Sequence, residues 1–461
     1  MGTQITRRSF LARTIGLAGL SIMGHGCQLP EKNPADQPNI VLIMADDLGY
    51  GDVGCYGCKD IRTPAIDGLA AEGVRFTTFY SNAPECTPTR TALMTGRYQH
   101  RVGGLECALG IGNVGRYDDA IRLRETHDMG LPAGETSIAR MLKNAGYATA
   151  ICGKWHLGYE RKFFPDKHGF DYWFGPVGGA VDYFHHDEYT GEPSLYRNSK
   201  VIEQEGYLTD LITDEAVKFL GRQSDRPFCL YVPYTSPHTP YLGPNDKRPQ
   251  SVPQEDYNKG TRETYRAMVE RMDEGIARIL AALDQRKLAA NTLVIFMSDN
   301  GANKTGNNAP FSGYKGNLFE GGIRVPCIAK WPGRIPEGVV SDQSCMTMDF
   351  SRSVVRAAGA RPPRGRTFDG IDIVRHVENQ EPTQKRTLFW RARRGERTRK
   401  AVRDGDLKYI QLWDGPKMNE YLFDLKGDPA EKNNLLAARD SDAERLKALL
   451  ADWEQQVKHH R

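Results

Sequence analysis

The chain has 461 residues, which is enough for one large α/β core and a smaller second domain. Hydrophobic residues make up 39% and charged residues 26%, a composition that excludes both a disordered chain and a membrane bundle. The formal net charge is +4, but without the first 27 residues 59 basic residues stand against 58 acidic ones. That balance gives no electrostatic case for nucleic acid as a partner.

Residues 1–27 have the pattern of a twin-arginine-type export signal. The pair Arg7-Arg8 precedes Ser-Phe-Leu and an apolar run that is too short to span a bilayer. We therefore expect the twin-arginine translocation machinery to export the protein to the periplasm or cell surface, with residues 28–37 as a linker. Cys27 is a candidate lipidation site and would tie the protein to the membrane, although the residue three before it is a small glycine.

Four apolar runs predict buried β-strands, and polar residues follow each of them. Helical stretches such as 136–145 and 265–283 alternate with these runs. Strands that are apolar along their whole length are buried on both faces, which predicts a mostly parallel sheet sandwiched by helices. The runs and the residues after them are 40–45 before Asp46 and Asp47, 147–152 before Lys154 and His156, 228–232 before His238, and 293–297 before Asp299 and Asn300.

In such a sheet ligands bind beyond the carboxyl ends of the strands, so these polar residues should meet at one edge. Paired acids at a strand end can instead cap the next helix, but two such ends in one sheet favour a metal site. Hard oxygen ligands, which suit Ca²⁺ or Mg²⁺, would come from Asp46, Asp47, Asp299 and Asn300. Positive charge and proton transfer around an anion would come from Arg90, Lys154, His156, His238 and Lys315.

Cys86-Thr87-Pro88-Thr89-Arg90 places a thiol at the predicted start of a helix. Proline fits the first turn, because its missing N–H costs nothing there. Cys86 would then lie at the positive end of the helix dipole, with an acidified thiol suited to an anion and with Arg90 on the same face. A structural cysteine is the alternative, and the converging strand ends favour a site residue. For Cys55 and Cys58 we expect a loop disulfide or two free thiols.

After about residue 375 the pattern changes to short alternating runs, which predict a small antiparallel sheet with a helix over 440–457. We therefore divide the chain into a catalytic domain, 38–375, and a C-terminal subdomain, 376–461. The basic segment 391–400 is either a solvated hairpin or a surface for sulfated glycans. The stretch 181–187 lies either at the mouth of the site, where its aromatic and histidine side chains suit a sugar ring, or in loop packing.

Six motifs, together with a segment near the end, resemble those of the type I, formylglycine-dependent sulfatases. Within that family the chain is similar to arylsulfatases and N-acetylgalactosamine sulfatases, and the family belongs to the alkaline phosphatase superfamily. The resemblance implies an alkaline phosphatase-like fold with a smaller C-terminal sheet-plus-helix domain. The motifs lie at 46–52, 86–90, 153–158, 236–238, 298–301 and 315–322, and the segment is 424–435.

The resemblance also implies a mechanism. A maturation enzyme oxidises Cys86 to formylglycine (3-oxoalanine), and the hydrated aldehyde of this residue is the nucleophile. The calcium ligands are Asp46, Asp47, Asp299, Asn300 and modified Cys86. Arg90 stabilises the gem-diol, and Lys154 holds the nucleophile and the sulfate. His238 and Lys315 face the leaving oxygen, and His238 is the expected proton donor. His156 then deprotonates the second hydroxyl of the gem-diol, so that sulfate leaves by C–O cleavage.

The expected substrate is a sulfated small molecule or glycan, with aryl sulfates as surrogates. A phosphonate or phosphate ester hydrolase of the same superfamily is the nearest alternative. A non-catalytic protein that binds sulfated glycans is the alternative from another class. It predicts degenerate metal or nucleophile positions, and the sequence has none.

Overall fold

The computed structural model of the protein describes residues 37–110, 118–223 and 226–459. The predicted export signal, Cys27 and the linker up to residue 36 lie outside the described residues. Within those three ranges, no helix combines the length and the apolar character needed to cross a membrane.

Sixteen strands occur in the described residues, and the four predicted apolar runs are all among them. In chain order they are β1 Asn39–Ala45, β2 Val74–Phe76, β3 Phe79–Tyr80, β4 Ala148–Cys152, β5 Tyr172–Pro176, β6 Leu195–Arg197, β7 Lys200–Val201, β8 Phe228–Pro233, β9 Thr292–Ser298, β10 Cys327–Lys330, β11 Val339–Ser341, β12 Cys345–Met346, β13 Thr387–Arg394, β14 Arg397–Asp404, β15 Leu407–Asp414 and β16 Lys417–Asp424.

The described α-helices include the two predicted ones and a helix that begins at Cys86. They are α1 Pro64–Ala71, α2 Cys86–Thr95, α3 Asp118–Glu125, α4 Ile138–Asn144, α5 Leu208–Gly221, α6 Arg262–Gln285, α7 Glu320–Ile323, α8 Thr347–Ala357, α9 Ile373–Glu378 and α10 Asp440–Gln456.

Ten strands form one mixed sheet in the order β11-β2-β10-β9-β1-β8-β4-β5-β6-β7. The five central strands, from β9 to β5, run parallel, which confirms the mostly parallel sheet. Beyond them β10 and β6 pair antiparallel with their neighbours, a feature that the sequence did not predict. The four predicted runs are neighbours in this sheet, so their carboxyl ends share one edge.

Strand β1 shows why the central runs are continuously apolar. Ile40, Leu42 and Met44 belong to one hydrophobic core, and the alternating residues 41, 43 and 45 belong to a second core on the other face. Helices α2, α4 and α8 contribute to the first core, and α1, α5 and α6 to the second. The sheet is therefore covered by helices on both faces, as predicted.

Strands β13 to β16 form a four-stranded antiparallel sheet with α10 packed on it, which confirms the small C-terminal sheet and helix. A third core joins this sheet to the rest of the chain, since Trp390 and Tyr409 share it with Tyr80 and Leu318. Helix α9 spans the predicted boundary at residue 375, and the division into two domains stays a prediction. Cys55 and Cys58, near the start of the chain, are two thiols and not a disulfide.

Candidate active site

Four adjacent parallel strands, in the order β9-β1-β8-β4, end at the same edge of the large sheet. Open α/β sheets bind ligands at this edge, because the loops after the strands converge there. Two of the residues in these loops, Asp47 and His156, have φ of 65° and 55°, a left-handed backbone that is uncommon for non-glycine residues. The loops carry Asp299 and Asn300 after β9, Asp46 and Asp47 after β1, His238 after β8, and Lys154 and His156 after β4.

A hydrogen-bond network joins the acids that follow β1 and β9. Asn300 Nδ2 donates to Asp47 Oδ1 at 2.7 Å, and the backbone N–H of Asp47 donates to Asp299 Oδ1 at 3.2 Å. Asp46 Oδ1 and Asn300 Oδ1 are buried and have no hydrogen-bond partner among the described residues. Buried acceptors are normally satisfied, so these two oxygens beside two further carboxylates form a set of hard ligands suited to a cation.

Arg90 and Lys154 bring buried positive charge to the acids. Arg90 donates from Nε and Nη2 to Asp299 Oδ2 at 3.1 and 2.8 Å, and from Nη1 to the backbone carbonyl of Lys154 at 3.0 Å. Lys154 Nζ donates to Asp46 and, at 2.7 Å, to the carbonyl of Gly179. Burial opposes ionisation of Asp46, yet Lys154 holds its pKa well below the usual range. Burial, with the charge of Asp46, raises the pKa of Asp299 to about 7.

Cys86 is the first residue of α2, with the proline inside the first turn as predicted. Its Sγ lies 3.7 Å from Lys315 Nζ, which also donates to Asp47 Oδ2 at 2.8 Å. Ligand atoms of Cys86, Asp46, Asp47 and His238 lie within 4.8 Å of one another. The expected acidified thiol is wrong, because burial raises the pKa of Cys86 to about 12 despite the nearby lysines. The encoded thiol is therefore neutral and a weak nucleophile.

Two histidines each present one nitrogen without a proton. His156 Nε2 lies 2.5 Å from the carbonyl of Leu109, and His238 Nδ1 lies 2.7 Å from the carbonyl of Thr239. A carbonyl only accepts, so each of these nitrogens carries the proton of the neutral ring. Burial lowers the pKa of both rings, that of His238 to about 4. His156 Nδ1 and His238 Nε2, the latter 3.8 Å from Asp47 Oδ2, are therefore the basic atoms.

Cys86, Lys315 and both histidines line one cavity of about 410 Å³. Several other side chains in its wall were not identified from the sequence. Tyr159 directly follows the 153–158 motif, and this adjacency was the available signal for it. Sequence pattern provides no comparable signal for the others in loops. The missed residues are Tyr159, Glu188 and Tyr189, whereas Arg394 and Arg399 in the same wall belong to the basic segment 391–400.

The stretch 181–187 packs beneath the site and does not line the cavity. The Tyr183 hydroxyl donates to the backbone carbonyl of His238 at 3.0 Å and so supports the loop that carries this histidine. Of the two interpretations of 181–187, loop packing is correct. The next two residues, Glu188 and Tyr189, are the ones in the cavity wall.

The basic segment 391–400 is a hairpin but not a solvated one. Two of its arginines pair with the buried carboxylate of Glu106, and Arg394 pairs with Glu85 at 2.6 Å. Glu85 immediately precedes Cys86, so the hairpin fixes the backbone at the start of α2. Arg399 lies in the cavity wall beside Gly316.

A family model described as Sulfatase matches residues 38–360, more than half of the chain. The chain belongs to the sulfatase family. A second family model, described as N-sulphoglucosamine sulphohydrolase, C-terminal, matches residues 314–459 of this sulfatase.

This sulfatase is 35% identical to the N-acetylgalactosamine-6-sulfatase of Canis lupus familiaris over 374 residues, which covers 77% of this chain and 68% of the relative. It is also 35% identical to the steryl-sulfatase of Mus musculus over 419 residues, covering 73% of this chain and 64% of the relative.

Two solved structures show the same fold. The crystal structure of Ps i-CgsB in complex with k-i-k-neocarrahexaose has a TM-score of 0.78 and 31% identity, covering 91% of this chain and 93% of that one. The PsFucS1 sulfatase from Pseudoalteromonas sp. has a TM-score of 0.72 and 26% identity, covering 92% and 91% of the two chains. These findings confirm the alkaline phosphatase-like fold and the predicted activity, so this sulfatase is a sulfuric ester hydrolase.

Proposed function

We propose that this sulfatase hydrolyses sulfate monoesters of carbohydrates, using a formylglycine made from Cys86 and a bound divalent cation. The observation that carries the proposal is the meeting of Cys86 with oxygen-ligand and cationic side chains at one end of a single cavity. A sulfate monoester is an anion, so a nucleophile can approach it only where positive charge is concentrated.

The proposed cation is Ca²⁺, with Mg²⁺ as the alternative. The support for it is that Asp46 Oδ1 and Asn300 Oδ1 are buried acceptors with no other partner in the described part of the chain. When bound, the cation supplies Lewis-acid stabilisation of a sulfate oxygen. The residues that would hold it are Asp46, Asp47, Asp299, Asn300 and modified Cys86.

Modification of Cys86 by a formylglycine-generating maturation enzyme fits these surroundings better than the encoded thiol does. A sulfur ligand suits calcium poorly, whereas an oxygen-bearing residue 86 completes a hard ligand set. The formylglycine supplies a hydrated aldehyde as nucleophile. Arg90, held in place by Asp299, lies one turn along α2 and stabilises the negative charge that develops on residue 86.

Two further side chains have proposed roles beside residue 86. Lys154, whose Nζ is anchored on Asp46 and the carbonyl of Gly179, holds the nucleophile and the sulfate. His156 has its Nε2 proton engaged by Leu109, so its Nδ1 is the atom that accepts a proton when residue 86 releases sulfate.

His238 and Lys315 are proposed to face the leaving oxygen. Because the Nδ1 proton of His238 is engaged by Thr239, the ring must first take up a proton on Nε2 before it can donate one. Burial opposes the charge of Lys315, but Asp47 raises its pKa, so the lysine stays cationic beside the leaving group.

A sulfated glycan is the proposed substrate class. The relatives include an N-acetylgalactosamine-6-sulfatase, and the similar Ps i-CgsB was solved with a neocarrahexaose. Arg399 in the cavity wall adds a cationic side chain beyond the reaction centre, which suits an anionic saccharide.

We also propose export by the twin-arginine pathway to the periplasm or cell surface, on the evidence of Arg7-Arg8 and the apolar run after it. That pathway carries folded proteins, so a maturation enzyme would act on Cys86 before export. Residues 38–375 are the proposed catalytic domain and residues 376–461 the C-terminal subdomain. Fusing residues 1–37 to a reporter, with an Arg7-Arg8→Lys-Lys control, tests the signal.

Cys86→Ala tests the nucleophile. The variant should lose sulfate release from 4-nitrophenyl sulfate while its thermal unfolding stays close to that of the wild type, because alanine fits the space of the buried thiol. Mass spectrometry of the wild-type peptide that contains residue 86 should show an aldehyde. Near-normal turnover by Cys86→Ala, or active protein with only unmodified cysteine, would refute the assignment.

Paired substrates separate sulfate from phosphate chemistry. Turnover of 4-nitrophenyl sulfate should exceed that of 4-nitrophenyl phosphate, and a panel with N-acetylgalactosamine 6-sulfate and k-i-k-neocarrahexaose should identify a sugar substrate. Faster release of phosphate than of sulfate would support the phosphate ester hydrolase instead.

A further inference from the structure

The wall of the cavity contains a charged side chain that the proposed mechanism does not use. Glu188 is only 4% exposed and lines the cavity together with Tyr159 and Tyr189. By distance and angle, neither carboxylate oxygen accepts a well-formed hydrogen bond within residues 37–110, 118–223 and 226–459, although the backbone N–H groups of Gly179 and Ala180 lie close enough to favour its charge. A buried carboxylate without a partner is costly, so its presence in a binding cavity points to a partner that a ligand brings.

The backbone around Glu188 is built to hold the carboxyl group in place. A Cβ added to Gly178 would lie 1.0 Å from Glu188 Oε1, so the carboxyl group lies directly against the backbone of Gly178. Val181 and Glu188 form an isolated antiparallel β-bridge, which fixes the position of the residue. Burial raises the pKa of Glu188 to about 7, although Lys154 and nearby backbone N–H groups oppose the rise.

Glu188 also lies next to the reaction centre. A Cβ added to Gly179 would lie 2.5 Å from the ring of His156, and the preceding residue, Gly178, is the one in contact with Glu188. The Glu188 carboxyl group and the His156 ring therefore contact consecutive residues of one loop, whose Cα atoms are about 3.8 Å apart. Glu188 and Cys86 line the same cavity, so a ring attached to a sulfate that reaches Cys86 enters the space that Glu188 borders.

The chemistry of the partner follows from the charge of Glu188. A carboxylate repels a sulfate or carboxylate group and accepts hydrogen bonds from hydroxyl and amide N–H groups. Lys154, the nearby cation, is already engaged by Asp46 and the carbonyl of Gly179. A sugar ring offers the required donors, whereas an aryl sulfate offers none.

We propose that Glu188 is a specificity-determining residue that binds a hydroxyl or amide N–H of the sugar ring adjacent to the sulfate ester. The proposal rests on the proposed function, since it takes a sulfated carbohydrate as the substrate. Glu188 positions the ring, and residue 86 and the cations act on the sulfate.

The test compares two substrates across matched variants. Glu188→Ala removes the acceptor, Glu188→Gln keeps its shape without the charge, and Glu192→Gln makes the same change at an exposed position of the same loop. For each variant kcat/KM is measured on 4-nitrophenyl sulfate and on the sugar of the panel that the wild type turns over fastest.

Relative to the aryl sulfate, kcat/KM for the sugar should fall about 10- to 100-fold in Glu188→Ala, and less in Glu188→Gln, because a hydrogen bond to a charged group is lost. Glu192→Gln should keep the wild-type ratio. A ratio in Glu188→Ala that stays within about threefold of the wild type would overturn the proposal, since a lost charged hydrogen bond is worth more than that. Sulfate release from the panel sugar by the wild type upholds the proposed function in either case.

A measurement on the wild type does not depend on the folding of any variant. The desulfated panel sugar and its fully O- and N-methylated form, which has neither hydroxyl nor amide N–H donors, compete against 4-nitrophenyl sulfate. The methylated sugar should bind at least about tenfold more weakly. Equal inhibition by the two sugars would count against a donor bound to Glu188.

Discussion

Replacing Lys408 by methionine should destabilise the fold severely. Lys408 lies on β15 and is fully buried, and its Nζ donates to Glu320 Oε1 at 2.8 Å and to Glu431 Oε1 at 2.9 Å. Glu320 opens α7, five residues after Lys315 in the sequence, so this ion cluster joins the small sheet to the segment that carries a site lysine. The variant leaves two buried carboxylates without their shared cation.

The expected loss in the free energy of unfolding is about 3–5 kcal/mol, which is typical when one member of a buried ion pair is removed. The loss should be smaller at pH 5 than at pH 8. The variant lacks the lysine charge that helps to hold the pKa of Glu320 low. In the wild type, burial already raises the pKa of Glu431 to about 7. Groups with raised folded-state pKa values stabilise the protein at low pH and lose that contribution as pH rises.

Urea unfolding at both pH values measures the effect, and Lys385→Met is the matched control. Lys385 pairs with Asp404 at 3.0 Å on the same small sheet, but its side chain is 67% exposed. Exposed pairs contribute about 0–1 kcal/mol, so the control should lose little stability. Equal losses in Lys408→Met and Lys385→Met would refute the reasoning from burial.

Metal removal and pH provide two further tests. Dialysis against EDTA should lower turnover of 4-nitrophenyl sulfate at least about a hundredfold, because the buried carboxylates lose their cation. Adding CaCl₂ should restore turnover. Full activity in protein shown to be metal-free would contradict the proposed metal site. Buried His168 has a pKa lowered to about 4, so unfolding lets it take up a proton and stability falls as pH decreases below about 6.5. Between pH 7 and pH 5, His168→Phe should remove about 2 kcal/mol of this loss, and an unchanged pH dependence in the variant would count against the explanation.

The central strands could be predicted because burial on both faces leaves a signal along the chain. The runs at 40–45 and 293–297 differ from β1 and β9 by only one residue at either end. The outer strands could not be predicted in this way. Strands β2, β6, β7 and β11 have only two or three residues each, too few for a pattern, and their pairing depends on which neighbours the fold supplies.

The acids, lysines and histidines of the site were identified because each follows a predicted strand or lies in a motif. Glu188 lies in a loop with no such reference point, and its importance comes from burial and from the lack of a partner, which only coordinates reveal. The basic segment 391–400 left two interpretations open. Three of its arginines bind Glu85 and Glu106, because these distant carboxylates need partners in the folded protein, and Arg399 lines the cavity.

By itself the sequence determined the family, the parallel sheet, and the set of residues that follow its strands, since these depend on local pattern and on ordered motifs. Tertiary structure decided which side chains share the cavity and which charges pair. It also reversed the expected state of Cys86, because burial outweighs the helix end and raises the thiol pKa to about 12. Desolvation is a property of the packed fold, and no stretch of sequence around a cysteine contains it.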